Sequence, residues 1–254
     1  MKIDRRETGF ILMDAVVVQN LSFQYRPSGP AIIKNIDFRI EQGEMTVLMG
    51  LSGCGKSTLC SCLSGIVPHY WGGVMEGNVF INNKNTRDVK LSNMAFELGM
   101  VFQDPDTQLF SPTVEDEIAF APENMCLPPQ QIRQRVDEVI ELLGIGALRE
   151  SNPYNLSGGE KHLVALAAVL ALDPKVLVLD EVMSQLDSVG RKRVQDVLST
   201  LRQQGKTIII VEHDLETAVL ADRIMVLEQG AIIRYDRSET LLADQAFLSA
   251  HHLI

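Results

Sequence analysis

The segment Gly50-Leu51-Ser52-Gly53-Cys54-Gly55-Lys56-Ser57-Thr58 matches GxxxxGK[ST], and it sits between an apolar run at 46–49 and an apolar-periodic run at 56–63. A buried strand, a glycine-rich turn and a helix in that order restrict the chain to folds in which a helix N-terminus faces the carboxyl end of a strand. The glycines let successive backbone N–H groups turn inward without Cβ clashes, and the helix N-terminus adds a partial positive charge that suits an anion. Lys56 is placed to reach the β- and γ-phosphates of a nucleoside triphosphate, and Ser57 to offer its hydroxyl to Mg²⁺. Gly50, Ser52, Gly53, Cys54, Gly55, Lys56, Ser57 and Thr58 are therefore the candidate nucleotide-binding residues.

Periodicity around this motif gives the fold class. Alternating apolar and polar residues at 15–23, 36–40 and 74–81 predict strands of a half-exposed antiparallel sheet. Nearly unbroken apolar runs at 46–49, 176–179, 207–211 and 224–227 predict strands buried on both faces. Helical spacing at 56–63, 132–143, 160–172, 190–203 and 215–221 separates several of them, so the expected class is α/β, a mainly parallel sheet wrapped by helices. Between 103 and 155 six prolines punctuate turns and helix, which predicts a helical subdomain inserted into the sheet domain. One phosphate-loop motif and no internal repeat predict a single ATPase module.

Bulk properties exclude other classes. The longest apolar run, 163–172, is half of the roughly 20 residues that a membrane-crossing helix needs. Lys2, Arg5 and Arg6 precede a short apolar patch at 10–13 that Asp14 closes, a poor secretory signal, so cytosolic residence is expected. A formal charge of −10 argues against nucleic acid as a partner. Cys54, Cys60, Cys62 and Cys126 lack zinc-site spacing and read as reduced thiols; Cys54, in the loop, is open to oxidation or alkylation or is simply a small residue in a tight turn.

A second chemical signal is the run 176–179 ending in Asp180-Glu181. A carboxylate pair at the carboxyl edge of such a sheet is placed to serve a ligand. Asp180 is the candidate to hold Mg²⁺, leaving Glu181 free to orient or deprotonate water. A third is Leu156-Ser157-Gly158-Gly159-Glu160, where Ser157 and Glu160 fit a capping box. Two adjacent glycines exceed what a cap needs and suit close approach of backbone N–H groups to phosphate.

LSGGE resembles the LSGGQ signature of ABC ATPases, and the resemblance extends over about residues 15–235. It implies a phosphate-loop NTPase with a RecA-like parallel core sheet, an N-terminal antiparallel β subdomain and an inserted helical subdomain at about 104–172. Residues 1–14 are then an N-terminal extension and 236–254 a short tail with little room for the extended C-terminal dimerisation region of many such ATPases. It further implies ATP and Mg²⁺ as ligands and a second ABC ATPase subunit whose ATP is met by Ser157, Gly158 and Gly159. Tyr25 resembles the aromatic stacked on adenine, Gln103 the Q-loop glutamine that senses Mg²⁺ and the γ-phosphate, Asp187 the D-loop aspartate at the dimer interface, and His213 the switch histidine.

Residues 102–124, from Phe102-Gln103-Asp104-Pro105 to Pro122-Glu123-Asn124, are similar to the FQNPDxQLFxxTVxxDVAFGPxN stretch of energy-coupling-factor ATPases. That subgroup implies a transmembrane coupling subunit, a substrate-binding membrane subunit, and residence on the cytoplasmic face of the membrane. Glu115, Asp116 and Glu117 read either as partners for coupling-helix arginines or as a solvated helix start. Departures from the pattern are Glu160, His162, Leu163, Val182 and Met183. The competing expectation is a soluble ABC ATPase, for example of the iron-sulfur assembly type.

Overall fold

Where every position of a strand is apolar, neither face is left for water, and the strand must lie inside a covered sheet. The computed structural model describes residues 13–253. The charged residues Lys2, Arg5 and Arg6, and most of the extension at 1–14, lie outside the described residues. The strands are β1 (Asp14–Gln24), β2 (Ile33–Glu41), β3 (Met45–Met49), β4 (Val74–Ile81), β5 (Lys84–Asn85), β6 (Leu98–Val101), β7 (Val176–Asp180), β8 (Thr207–Val211), β9 (Arg223–Glu228) and β10 (Ala231–Arg237). The helices are α1 (Lys56–Leu63), α2 (Ile66–His69), α3 (Leu91–Met94), α4 (Val114–Asn124), α5 (Pro129–Leu143), α6 (Gly158–Leu170), α7 (Ser188–Gln203), α8 (Leu215–Leu220), α9 (Ser238–Ala243) and α10 (Gln245–Ala250).

One sheet has the order β10-β9-β3-β8-β7-β6, parallel throughout except for β10 on the edge. Its apolar runs divide between two cores. Val47, Leu177, Leu179, Ile208, Ile210 and Ile224 face the side carrying α4 to α7, while Leu48, Val176, Val178, Ile209, Val211 and Met225 face α1 and the second sheet. The unbroken hydrophobicity of these segments thus has a direct cause: each strand supplies alternate side chains to opposite layers.

The second sheet is antiparallel, with the order β2-β1-β4-β5. Alternation in β1 changes phase midway: Val16 and Val18 are buried, then Gln19 and Asn20 are exposed, then Leu21 and Phe23 are buried. The register against β2 breaks between Val18 and Leu21, and Asn20 and Asn35 both adopt positive φ. An irregularity of this kind turns later side chains back to the core face. On the third strand, a Cβ at Gly77 would lie 2.2 Å from the Asn20 carbonyl oxygen, so only glycine fits beside it.

The proline-punctuated stretch resolves into α4 and α5. Thr113 caps α4 by accepting from Asp116 N, and α5 stops at Gly144, whose positive φ lets the Gly144 and Ile145 N–H groups reach the carbonyls of Glu141 and Ile140. The helix expected at 160–172 begins two residues earlier and ends two earlier, since the capping box starts it and Leu172 N turns back to Val169 O. Strand β6, four residues including Gly99, is too short to show a period and is fixed by its pairing with β7. Among the described residues no helix is long and apolar enough to cross a membrane.

Candidate functional site

Parallel register brings the separate motifs to one edge. Leu48 is level with Val211, Asp180 with Val211, and Val101 with Leu179. The chain therefore leaves β3 into the glycine loop, β8 into Glu212-His213, β7 into Glu181 and β6 into Phe102-Gln103 along the same carboxyl rim. Strand order places the His213 strand between the loop strand and the Glu181 strand, which residue spacing alone does not reveal.

Within the loop, Gly50 has φ +149, and a Cβ there would sit 2.2 Å from the Leu227 carbonyl oxygen, so the loop lies directly on the end of β9. Helix α1 starts at Gly55 with no side-chain cap and no acidic residue in its first turn. Its first N–H groups remain available for an external anion. Lys56 is buried, and its ammonium donates to Gly50 O at 2.7 Å and Leu51 O at 3.2 Å, folded over the loop that it would share with phosphate. Tyr25 is half-exposed, its ring edge-on to Phe23 at 4.9 Å and its hydroxyl 3.1 Å from Thr58 Oγ1, so it borders the loop instead of packing in the core. Burial pushes the Cys54 thiol up, which makes it a poor thiolate and favours its reading as a small loop residue.

Glu181 occupies the left-handed region at φ +52, a conformation that costs a bulky residue about 1–3 kcal/mol and is kept where the position of the side chain matters. Its Oε2 accepts from Gln103 Nε2 at 2.5 Å, and its Oε1 lies 2.7 Å from His213 Nε2. Three residues 32 and 78 positions apart thus form one cluster. Asp180, one residue earlier, is 2% exposed, and its Oδ1 has no hydrogen-bond partner among the described residues. Burial raises the Asp180 carboxyl, with the Ser57 hydroxyl pulling the other way. A buried carboxylate oxygen without a donor, beside a serine hydroxyl, fits a hard divalent cation.

Glu212 is a residue that the motif reading passed over. It is 3% exposed, accepts from Met183 N at 3.1 Å, and is pushed up to about 7 by burial. The sequence signal was a carboxylate between an all-apolar strand and His213. An acid whose folded pKa exceeds its unfolded value near 4.5 makes the native state bind more protons, so stability falls as pH rises from about 4.5 to 7. Glu212→Gln, which keeps an acceptor for Met183, is expected to raise stability by up to roughly 3 kcal/mol at pH 8. Urea unfolding at pH 5 and 8 should show that gain shrinking toward the acid end; an equal gain at both values would remove titration of Glu212 as the cause.

The signature residues lie elsewhere. Ser157 Oγ accepts from Glu160 N at 3.3 Å and Ser157 N donates to Glu160 Oε2 at 2.9 Å, which completes the capping box; the Ser157 hydroxyl, donating to the same Oε2 at 2.7 Å, and then the Ser157 N–H lower the Glu160 carboxyl. Ser157, Gly158 and Gly159 line an open cavity of about 600 Å³ with Gln185, Asp187 and Arg193. Asp187 caps α7 by accepting from Gly190 N at 2.7 Å. Within the chain the acidic cluster forms the first turn of α4, and its carboxylates have partners of their own, with Asp116 exposed. Glu115 binds Arg149 at 2.6 and 2.8 Å, Asp116 accepts from Thr113 Oγ1, and buried Glu117 accepts from Phe110 N and Ser111 N.

Comparison with known proteins gives the family and the fold. Residues 33–184 match the family model described as ABC transporter. The chain is 40% identical over 228 residues to an energy-coupling factor transporter ATP-binding protein of Methanosarcina acetivorans, covering 89% of this chain and 81% of that one. Relatives differ in length: the chain spans 85% of one from Pyrococcus abyssi at 40% identity but 38% of one from Methanosarcina mazei at 42%. Among solved structures, cbiO1 from Clostridium perfringens, part of the ABC transporter complex cbiONQ, superposes with a TM-score of 0.80 at 33% identity, covering 93% of this chain and 94% of the other. The ATP-binding cassette MJ0796, solved as a dimer in a post-hydrolysis state bound to ADP and Pi, gives 0.78 at 26% identity, over 88% and 98%.

Proposed function

Because the chain belongs to the ABC transporter family of ATP-hydrolysing subunits, we propose that it is the ATPase of an energy-coupling-factor importer, working at the cytoplasmic face of the membrane to drive uptake of a vitamin or a transition-metal ion. The observation that carries the two-subunit part of this reading is the separation of its half-sites. The cavity of Ser157 to Glu160 has no residue of the loop 50–58 in its wall, so the signature is offered outward, to a nucleotide held by a neighbour. One chain then supplies a triphosphate cradle for itself and a lid for its partner. The neighbour is a second ABC ATPase, identical or different.

Each residue has a stated task. Backbone N–H groups of the loop and of the α1 terminus hold the phosphates, with Lys56 between the β- and γ-phosphates. Tyr25 faces the adenine. Asp180 and Ser57, with Gln103, would hold Mg²⁺, which supplies neutralisation of phosphate charge when bound. Glu181 orients the attacking water and takes its proton, both carboxylate oxygens being fixed by Gln103 and His213. Signature N–H groups of the neighbour add stabilisation as charge redistributes in the transition state, and the work is chiefly positioning and electrostatics.

The energy-coupling-factor reading is supported by residues 102–124 and by the relative named as an energy-coupling factor transporter ATP-binding protein, and the likeness to cbiO1, part of an ABC transporter complex, supports membrane partners. Detergent extraction of the native membrane should bring the chain out with polytopic membrane proteins, and ATP hydrolysis should respond to their presence. A chain recovered free of membrane proteins, with full ATPase activity alone, would point to the soluble alternative.

A further inference from the structure

Helix α6, which begins at the signature, is tied back to the segment around Gln103 by side chains that the catalytic scheme does not use. His162 is fully buried, with Nδ1 2.9 Å from Gly158 O and Nε2 3.2 Å from Gln103 O. Next to it, the Lys161 ammonium donates to Asp106 Oδ1 at 2.6 Å, three residues beyond Gln103. Gly158 lies in the turn that lines the outward cavity, and the Gln103 side chain donates to Glu181. One imidazole therefore bridges the backbone of the partner-facing half-site and the backbone of the residue that fixes the hydrolytic carboxylate. Both contacts are to carbonyl oxygens, which only accept: a ring carrying one N–H donates to one of them and holds the other by packing alone, a ring carrying two donates to both, and in either form the flat ring spans the gap with fewer rotatable bonds than a flexible chain would.

We propose that His162 is a positioning residue that joins the signature turn to Gln103, so that nucleotide in a chain's own loop and the half-site which that chain offers to its neighbour are energetically coupled through this ring. The inference rests on the ATP reading above. Coupling of this kind is reciprocal: if occupancy of the loop alters the signature turn, docking of a neighbour at that turn alters the loop's affinity by the same factor. Fully apolar replacement leaves the Gly158 and Gln103 carbonyls without this link, whereas glutamine can still donate to a carbonyl.

The test uses the full chain at a dilution where light scattering finds a monomer, with Mg-ATP or a non-hydrolysable analogue as probe. Nucleotide should change amide exchange at residues 158–161 by about fivefold or more in the unaltered chain. In His162→Leu that response should be lost while nucleotide affinity and cooperative melting persist, and His162→Gln should restore it. Should His162→Leu fail to fold, the ring ¹H–¹⁵N signals of His162 in the unaltered chain, assigned with His162→Gln, take its place: they must shift on nucleotide binding, and an unmoved ring overturns the proposal. Normal nucleotide binding with an undiminished response in His162→Leu overturns the coupling alone. Absence of nucleotide binding overturns the ATP reading and the coupling with it.

Discussion

Glu181→Gln is expected to bind ATP as the parent does and to lose turnover by about 10²–10⁴-fold, the usual worth of a positioned base. The substitution is nearly isosteric, so the strained backbone at φ +52 and the packing around it are kept. What changes is chemistry: an amide cannot take the proton of water, and its NH₂ meets one of two donors, Gln103 Nε2 or His213 Nε2, where a carboxylate oxygen stood. Nucleotide affinity by equilibrium dialysis and phosphate release under saturating ATP separate the two effects. Beside its companion subunit the variant should also accumulate as a closed, ATP-loaded dimer. Turnover within tenfold of the parent would remove Glu181 from the base position.

The second large effect is expected at Gly158→Asp. A Cβ there would fall 2.7 Å from Gln185 Oε1, and the added carboxylate would stand at the face proposed to meet a neighbour's triphosphate. Repulsion and loss of the close N–H approach should cost about 10²–10³ in turnover, the range for loss of a fixed oxyanion donor. Affinity of the chain's own loop for ATP should be unchanged, because no loop residue lines that cavity. A matching loss of nucleotide affinity in the isolated chain would mean that the signature serves the chain's own site, and the two-sided grip on ATP would have to be abandoned.

These two substitutions probe different parts of what could be read from the chain. The loop at 50–58 and the carboxylate pair were legible because their chemistry is local: a strand, a glycine turn and a helix are contiguous, and so are a buried strand and its terminal Asp180-Glu181. The buried strands were legible for the same reason, since sequestration of both faces imposes apolar residues at every position. Strand β6 was not, because four residues including Gly99 show no period, and its pairing with β7 is a long-range event. The acidic run at 115–117 was legible as a helix start but its partners were not, since a carboxylate's partner is invisible in sequence: Arg149 is 34 residues from Glu115.

The sequence by itself determined four of the buried strands, the glycine loop at 50–58, the capped turn at 156–160 and their order, since each depends on residues within one turn or one strand of each other. Only the tertiary structure decided that β8 runs between β3 and β7, that Gln103 and His213 hold the two oxygens of Glu181, that Glu212 is buried beside them, and that His162 spans from the signature to Gln103. The physical reason is that contacts between distant segments are set by strand order and by packing of the whole core, and no residue carries that information in its immediate neighbours.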